Sequence, residues 1–262
     1  MNPQEQPDDW APLVGRFVDE HYGSIRGRVR SHVIGQHLRE HLPAAPASIV
    51  DVGGGAGNQS IPLAAAGYQV TIVDPSRAML ERARVRLAAE PVDIRGRVRL
   101  VGANADDAPG ALDGERFSAV LCHGVIMYLD DPQPLIRSLA ALAAPAALVS
   151  LVAKSTRALA AKHALGGDWD AALKAFDSDH QINNLGLDTR ADTVEHLSDL
   201  FRHHGIEPTA WYGVRLFTDG WTATPVAEAA EQGAFAVELE ASRRDPYRQM
   251  SRLFHLLGRR DT

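Results

Sequence analysis

The chain has 262 residues, 45% of them hydrophobic and 23% charged, enough to bury a sizeable core in one domain with an elaboration. A net charge of −6 argues against a broad nucleic-acid-binding face though not a local one, and a single cysteine, Cys122, excludes an internal disulfide and a cysteine-based zinc cluster. No apolar run reaches the roughly 18 residues of a spanning helix and the acidic start MNPQEQPDDW lacks signal-peptide features, so a cytoplasmic protein without a membrane partner is expected.

Residues 1–12 read as a loose terminus. Residues 13–42 carry helical apolar spacing interrupted near Gly23, and Pro43, Pro46 and Ser48 mark a loop. A regular alternation follows. Residues 48–52 (SIVDV) read as a strand, 53–57 (GGGAG) as a glycine turn, 59–66 as a helix ended by Gly67, and 69–73 (QVTIV) as a second strand. Ser76 is placed to cap a helix over 77–89, its hydroxyl accepting an orphan backbone N–H. Further strands are expected at 98–101, 118–122 and 146–152, with a helix over 132–144 between the last two. Apolar strands alternating with helical patterns indicate an α/β protein whose parallel sheet is covered on both faces. Beyond residue 153 the alternation stops: 153–208 shows two or three helical patterns, one at 193–204. Residues 211–217 and 252–257 read as late strands flanking a helical 225–243.

A strand that runs into a glycine turn and opens a helix gathers backbone N–H groups and a positive helix end at one point. Glycines at 53, 54, 55 and 57 permit positive φ and remove Cβ atoms that would block a ligand. Asp74, 17 residues after Gly57, ends the second strand, where its carboxylate can accept from both hydroxyls of a ribose. Asp51 ends the first strand, where it can hold the turn or a ligand amino group. An adenosine-containing cofactor is therefore expected. The nicotinamide fingerprint starting at Gly53 requires glycine at 58, where the chain has Asn58, and no lysine follows a tyrosine by four residues.

Single residues add to this. Arg30, in a helix with Arg26 and Arg28, has the guanidinium fork that suits a carboxylate. His123, after the fourth strand, can pack on a cofactor or accept a proton. Cys122 reads as core packing. Tyr22, Tyr128, Tyr212, Arg215 and Tyr247 are candidates for an acceptor pocket. HLREH (37–41) has the spacing of some zinc peptidases but falls at a helix end, and no metal is expected.

Asp51-Val-Gly-Gly-Gly-Ala-Gly57 with Asp74 resembles the motif pair of the class I S-adenosylmethionine-dependent methyltransferases, over residues 48–152. The resemblance implies S-adenosyl-L-methionine as cofactor and a Rossmann-like, seven-stranded, mostly parallel sheet with an antiparallel last strand. Longer stretches, YGSIRGRVR (22–30), CHGVIMYLDDP (122–132), GVRLF (213–217) and the segment 238–260, are similar to the bacterial tRNA 5-carboxymethoxyuridine methyltransferases, which esterify a wobble-uridine carboxylate. Carried over by position, this resemblance implies that Arg30 holds the cofactor carboxylate, Gly54 and Gly55 its amino acid part and Asp74 its ribose. It places Asn104, Ala105 and Asp106 at the adenine edge and His123 under the methyl donor. Asp51, Gly53, Gly57 and Pro75 complete the expected cofactor site, and His123, Arg215 and Tyr22 are the expected catalytic residues.

Three segments are expected: 1–42 as a helical cover, 43–262 as the methyltransferase domain, and 153–208 within it as a helical acceptor-side insertion. Where the family carries a basic run, this chain has FDSDHQINNLGLDTR (176–190), so the acceptor stays open between a modified tRNA nucleoside and a small molecule. A carboxylate acceptor needs no general base, only desolvation and an orienting cation such as Arg215. A hydroxyl or amine acceptor would call on His123. A cofactor-binding protein without turnover is the remote alternative.

Overall fold

The structure is a computed structural model that describes residues 8, 10–183, 185–221 and 227–262. Nine strands are described: β1 Ser48–Val52, β2 Gln69–Val73, β3 Val98–Val101, β4 Phe117–His123, β5 Ala143–Lys154, β6 His180–Ile182, β7 Asp188–Arg190, β8 Ile206–Val214 and β9 Leu253–Arg260. The helices are α1 Ile25–His41, α2 Ser60–Ala65, α3 Arg77–Ala88, α4 Val92–Arg95, α5 Ala108–Ala111, α6 Gln133–Leu142, α7 Leu159–Leu165, α8 Trp169–Ala175, α9 Val194–His203 and α10 Glu228–Arg243.

The sheet has seven strands in the order β3-β2-β1-β4-β5-β9-β8, and β9 runs antiparallel to both β5 and β8. Strand alternation sends Val50 and Val52 to one face and Ile49 to the other; Val120 and Cys122 oppose Ala119 and Leu121 in the same way. The first face is covered by α6 and α9 through Leu135, Leu139, Leu197 and Phe201. The second lies under α1, α2 and α10 through Val29, Val33, Leu38, Leu63 and Leu239. Burial on both faces is why these strands read as continuous apolar runs.

Local chemistry sets the helix starts. Ser76 Oγ accepts from the Met79 amide at 3.1 Å and Ser24 Oγ from Gly27 at 3.2 Å. The expected break near Gly23 is there, after a π-helical turn at Arg16–His21: a Cβ at Gly23 would lie 2.2 Å from the Asp19 carbonyl oxygen.

Several boundaries differ from expectation. β5 and β9 are longer because their antiparallel pairing carries β5 through Lys154 and β9, beside β8, through Arg260, and β4 gains Phe117 and His123 by pairing with β5. β8 starts at Ile206 rather than 211 and stops at Val214, since Arg215 turns left-handed with φ 62°. Segment 153–208 is not wholly helical: it contains the hairpin β6–β7.

Candidate cofactor and acceptor site

Strand order reverses at β1, whose neighbours β2 and β4 lead to opposite edges. Crevices of open α/β sheets lie at such a point, beyond the carboxyl ends of the strands. Two connections meet there. The glycine turn follows β1, and the loop after β4 packs on it so closely that a Cβ at Gly53 would come within 2.2 Å of Val125 Cγ2.

The glycines of the turn serve different neighbours. A Cβ at Gly54 would sit 2.8 Å from the Asp51 carboxylate, and one at Gly57 3.1 Å from Ile61 and Ile72. Those two glycines make room for the protein's own side chains. Only Gly55, at φ 53°, faces loose surroundings, with Asp74 Oδ2 and Met79 Sδ 3.8 Å from its hypothetical Cβ. Its amide donates to Asp74 Oδ2 at 2.9 Å, and Ser76 N donates to Oδ1 at 2.9 Å. Asp51 accepts from Ser60 Oγ at 2.6 Å.

Burial pushes both carboxyls up to about 6. The Ser60 hydroxyl offsets this at Asp51, where Asp74 adds repulsion; backbone amides offset it at Asp74, where Asp8 adds repulsion. Two acids crowded at one turn favour a ligand that brings positive charge.

Arg30, on α1, reaches over the same edge. It donates to Tyr22 Oη at 2.7 Å and to the His123 carbonyl at 3.0 Å, and its guanidinium lies 5.3 Å from the Tyr22 ring centre. Gly124 is the residue that admits it, since a Cβ there would be 3.2 Å from Arg30 Nη2. His123 Nε2 is bonded to Ser150 Oγ at 2.8 Å, while its buried Nδ1 has no hydrogen-bond partner among the described residues. Burial, aided by Arg30, takes its pKa down to about 3.

Pro75 is exposed at the tip of β2, and Asn104, Ala105 and Asp106 follow β3 at the same sheet edge, Ala105 through its carbonyl holding Ser138 Oγ at 2.5 Å. The N-terminal segment lies across the turn. Asp8 accepts from Ser76 Oγ at 3.0 Å and Ala78 N at 3.1 Å, Val18 packs with Ala56 and Met79, and Trp10 meets Tyr128 edge-on at 5.1 Å.

Arg215 belongs to a second cluster, one the linear charge pattern conceals. It is 8% exposed, bonded to Asp219 at 3.2 Å, and its buried Nε has no hydrogen-bond partner among the described residues. Arg252 lies 3.9 Å from Asp219 and donates to Gln181 Oε1; Arg26 donates to the Asp219 carbonyl at 3.4 Å. Lys154, 4% exposed, donates to Thr189 Oγ1, and burial together with Arg252 and Lys162 takes its pKa down to about 7. Desolvation also lowers Arg215 and Arg252 against the pull of Asp219, and at Arg215 repulsion from Arg30, Arg252 and Arg26 adds to the lowering. Strand ends β5, β8 and β9 thus deliver buried cations to one place, with the hairpin β6–β7 closing over them through neutral Gln181 and Thr189. The acids of 176–190 that counted against an anionic ligand include Asp179, which bonds His180 at the surface.

Not all candidates converge. Tyr128 Oη accepts from Asn183 at 3.3 Å beside the site, whereas Tyr212 stacks on His37 at 4.0 Å and bonds His41 at 2.7 Å. Tyr247 packs against Phe217 at 6.1 Å, and Cys122 is buried core. The two histidines of HLREH thus meet at Tyr212, and among the described residues no group of three or more His, Cys, Asp or Glu could hold a metal. Likewise, no described helix is long and apolar enough to cross a membrane. Sequence reasoning missed Lys154, Ser150, Arg252 and His255, whose partners are distant along the chain.

The turn fits an adenosine-bearing sulfonium cofactor: acids for a ribose and a positive charge, an arginine for a carboxylate, and an open approach at Gly55. Comparison with known proteins agrees. The family model for a methyltransferase domain matches residues 50–149. The tRNA 5-carboxymethoxyuridine methyltransferase of Escherichia coli (strain K12) is 23% identical, over 97% of each chain. A ubiquinone biosynthesis O-methyltransferase of Xanthomonas campestris pv. campestris (strain B100) is 30% identical, over 68% of this chain and 72% of the relative. The fold superposes on magnesium protoporphyrin IX methyltransferase from Synechocystis PCC 6803 with bound SAH at a TM-score of 0.62, with 16% identity and 97% of each chain covered.

Proposed function

We propose that this chain, which belongs to the S-adenosylmethionine-dependent methyltransferases, moves its methyl group to the carboxylate oxygen of an anionic acceptor, a modified wobble uridine of tRNA in the cytoplasm. The buried cations at Arg215, Arg252 and Lys154 carry this reading, because so much desolvated positive charge calls for an anion. Full-length similarity to the E. coli tRNA enzyme supports the nucleoside, whereas similarity to the Xanthomonas O-methyltransferase spans part of each chain.

The cofactor supplies an already activated methyl. Asp74 takes the ribose, Asp51 with Gly53, Gly54, Gly55 and Gly57 shapes the amino acid end, and Arg30 holds the cofactor carboxylate. Pro75, Asn104, Ala105 and Asp106 line the adenine side. Arg215 orients the acceptor carboxylate and Tyr22 braces Arg30 beside it. Holding the two reactants in line is worth on the order of 7–11 kcal/mol. A carboxylate gives up no proton on methylation, which suits a His123 whose pKa near 3 makes it a poor base. Residues 8 and 10–42 cover the cofactor side, and the elements of 153–208 close the acceptor side.

The test uses labelled S-adenosylmethionine with tRNA carrying the free carboxymethoxy group, beside small carboxylic acids. Label in tRNA that nuclease releases as a nucleoside supports the reading. Label only in a small acid moves the acceptor to the small-molecule alternative, and label in neither overturns both.

A further inference from the structure

Glu238, on α10, is 2% exposed. A buried carboxylate is costly unless donors converge on it, and here three do. Oε2 accepts from the Leu216 amide at 2.9 Å, and Oε1 accepts from the Thr218 amide and the Thr218 hydroxyl, each at 2.7 Å. All three donors belong to the loop that follows β8.

That loop starts with a backbone that a residue bearing a Cβ rarely adopts: Arg215 has φ 62°. On one side β9 fixes it, since the Arg252 amide donates to the Arg215 carbonyl at 2.8 Å. On the other side the next three residues are tied to Glu238. Asp219 then closes the loop, with its carboxylate 3.2 Å from Arg215 and 3.9 Å from Arg252, and its carbonyl accepting from Arg26 at 3.4 Å. The stretch between the arginine and its carboxylate partner is therefore the stretch that Glu238 grips.

The grip matters because the competing conformation is an extended one. Were residues 215–219 to continue β8, the Cα atoms of Arg215 and Asp219 would stand roughly 13 Å apart, too far for their ion pair. We infer that Glu238 is a positioning residue, its carboxylate holding the Leu216–Thr218 backbone so that Arg215 and Asp219 stay paired at the acceptor site. The inference rests on the reading of Arg215 as the group that orients the acceptor.

One readout needs no acceptor. The Arg215 Nε–H is buried and has no hydrogen-bond partner among the described residues, so its exchange with solvent reports how firmly the loop is closed. A glutamine at 238 keeps one accepting oxygen and sets an NH2 against the remaining donor. In protein labelled with 15N-arginine, with the signal assigned against Arg215→Gln, Glu238→Gln is expected to speed this exchange about tenfold and to leave Arg30 unchanged. Thr218→Val, which removes only the hydroxyl donor, is expected to speed it about threefold, and Thr218→Ser to match the unsubstituted protein. Unchanged exchange at Arg215, or equal acceleration at Arg215 and Arg30, overturns the inference.

The second readout uses the carboxymethoxy-bearing tRNA. Glu238→Gln is expected to raise the acceptor KM about tenfold while the cofactor dissociation constant stays within about twofold. A variant with a lowered melting temperature and an unchanged KM would make Glu238 a structural residue and contradict the inference. Absence of methyl transfer by the unsubstituted protein would refute the proposed acceptor instead, and the exchange measurement still decides the role of Glu238.

Discussion

The amide of Gly55 donates to Asp74 Oδ2 at 2.9 Å, so the glycine turn and the end of the neighbouring strand share one carboxylate. A ligand that takes this carboxylate must compete with, or add to, a bond that already shapes the turn. Asp74→Ala removes the acceptor for Gly55, Ser76 and the ribose together. Calorimetry with S-adenosylmethionine is expected to show binding weaker by roughly 1–3 kcal/mol. Unchanged affinity would mean that the ribose lies elsewhere.

Neighbouring glycines are expected to fail in different ways. Gly54→Ala drives a methyl to 2.8 Å from the Asp51 carboxylate and should lower the melting temperature. Gly55→Ala meets nothing closer than 3.8 Å, so only its left-handed backbone is strained, by roughly 1–2 kcal/mol. Its main effect should be on cofactor affinity. Paired thermal melts and cofactor titrations read the two apart.

The cation cluster couples stability to function in opposite senses. Lys154→Met removes a buried amine whose pKa burial has lowered to about 7, leaving a side chain of similar length. The melting temperature is expected to rise while turnover of the acceptor falls and the cofactor dissociation constant stays within about twofold. A variant that loses stability and keeps its turnover would make Lys154 a structural residue.

Legibility followed burial. β1 and β2 were readable to the residue because their apolar runs carry the signal alone, and the edge strand β3, with no buried residue, was readable from Val98, Leu100 and Val101 around Arg99. The glycine turn and Asp74 were readable because the backbone chemistry they serve is local. The hairpin β6–β7 was not: its inward residues Gln181 and Thr189 are polar because they face Arg252 and Lys154, so no apolar alternation marks it. β8 hid its first half for a similar reason, being an edge strand that tolerates Pro208 beside an irregularity in its pairing. Segment 176–190 looked hostile to anions because charge was counted along the chain, whereas the cations that matter sit at the ends of three strands and on α1.

Acid is expected to unfold the protein early. His37, His123 and His255 are held neutral by burial, with pKa values below the unfolded value of about 6.5. A base depressed in this way contributes stability that is complete above about pH 6.5 and lost as the pH falls. Asp51 and Asp74, raised to about 6, act oppositely: protonation between about pH 6 and 4 relieves their burial and recovers part of the loss. Three histidines against two acids leave a net loss on the order of 3 kcal/mol between pH 7 and 5. Denaturant titrations at the two pH values check this, and His37→Gln should flatten the dependence.

Whether the acceptor atom is a carboxylate oxygen is decided by the chemistry of the product. Methyl esters hydrolyse in mild alkali and release volatile methanol, whereas methyl ethers and methylamines do not. After transfer of a labelled methyl to the acceptor fraction and brief treatment with dilute base, the account predicts that the label leaves as methanol and that Arg215→Gln abolishes the transfer. Label that stays on the acceptor through the same treatment would contradict it.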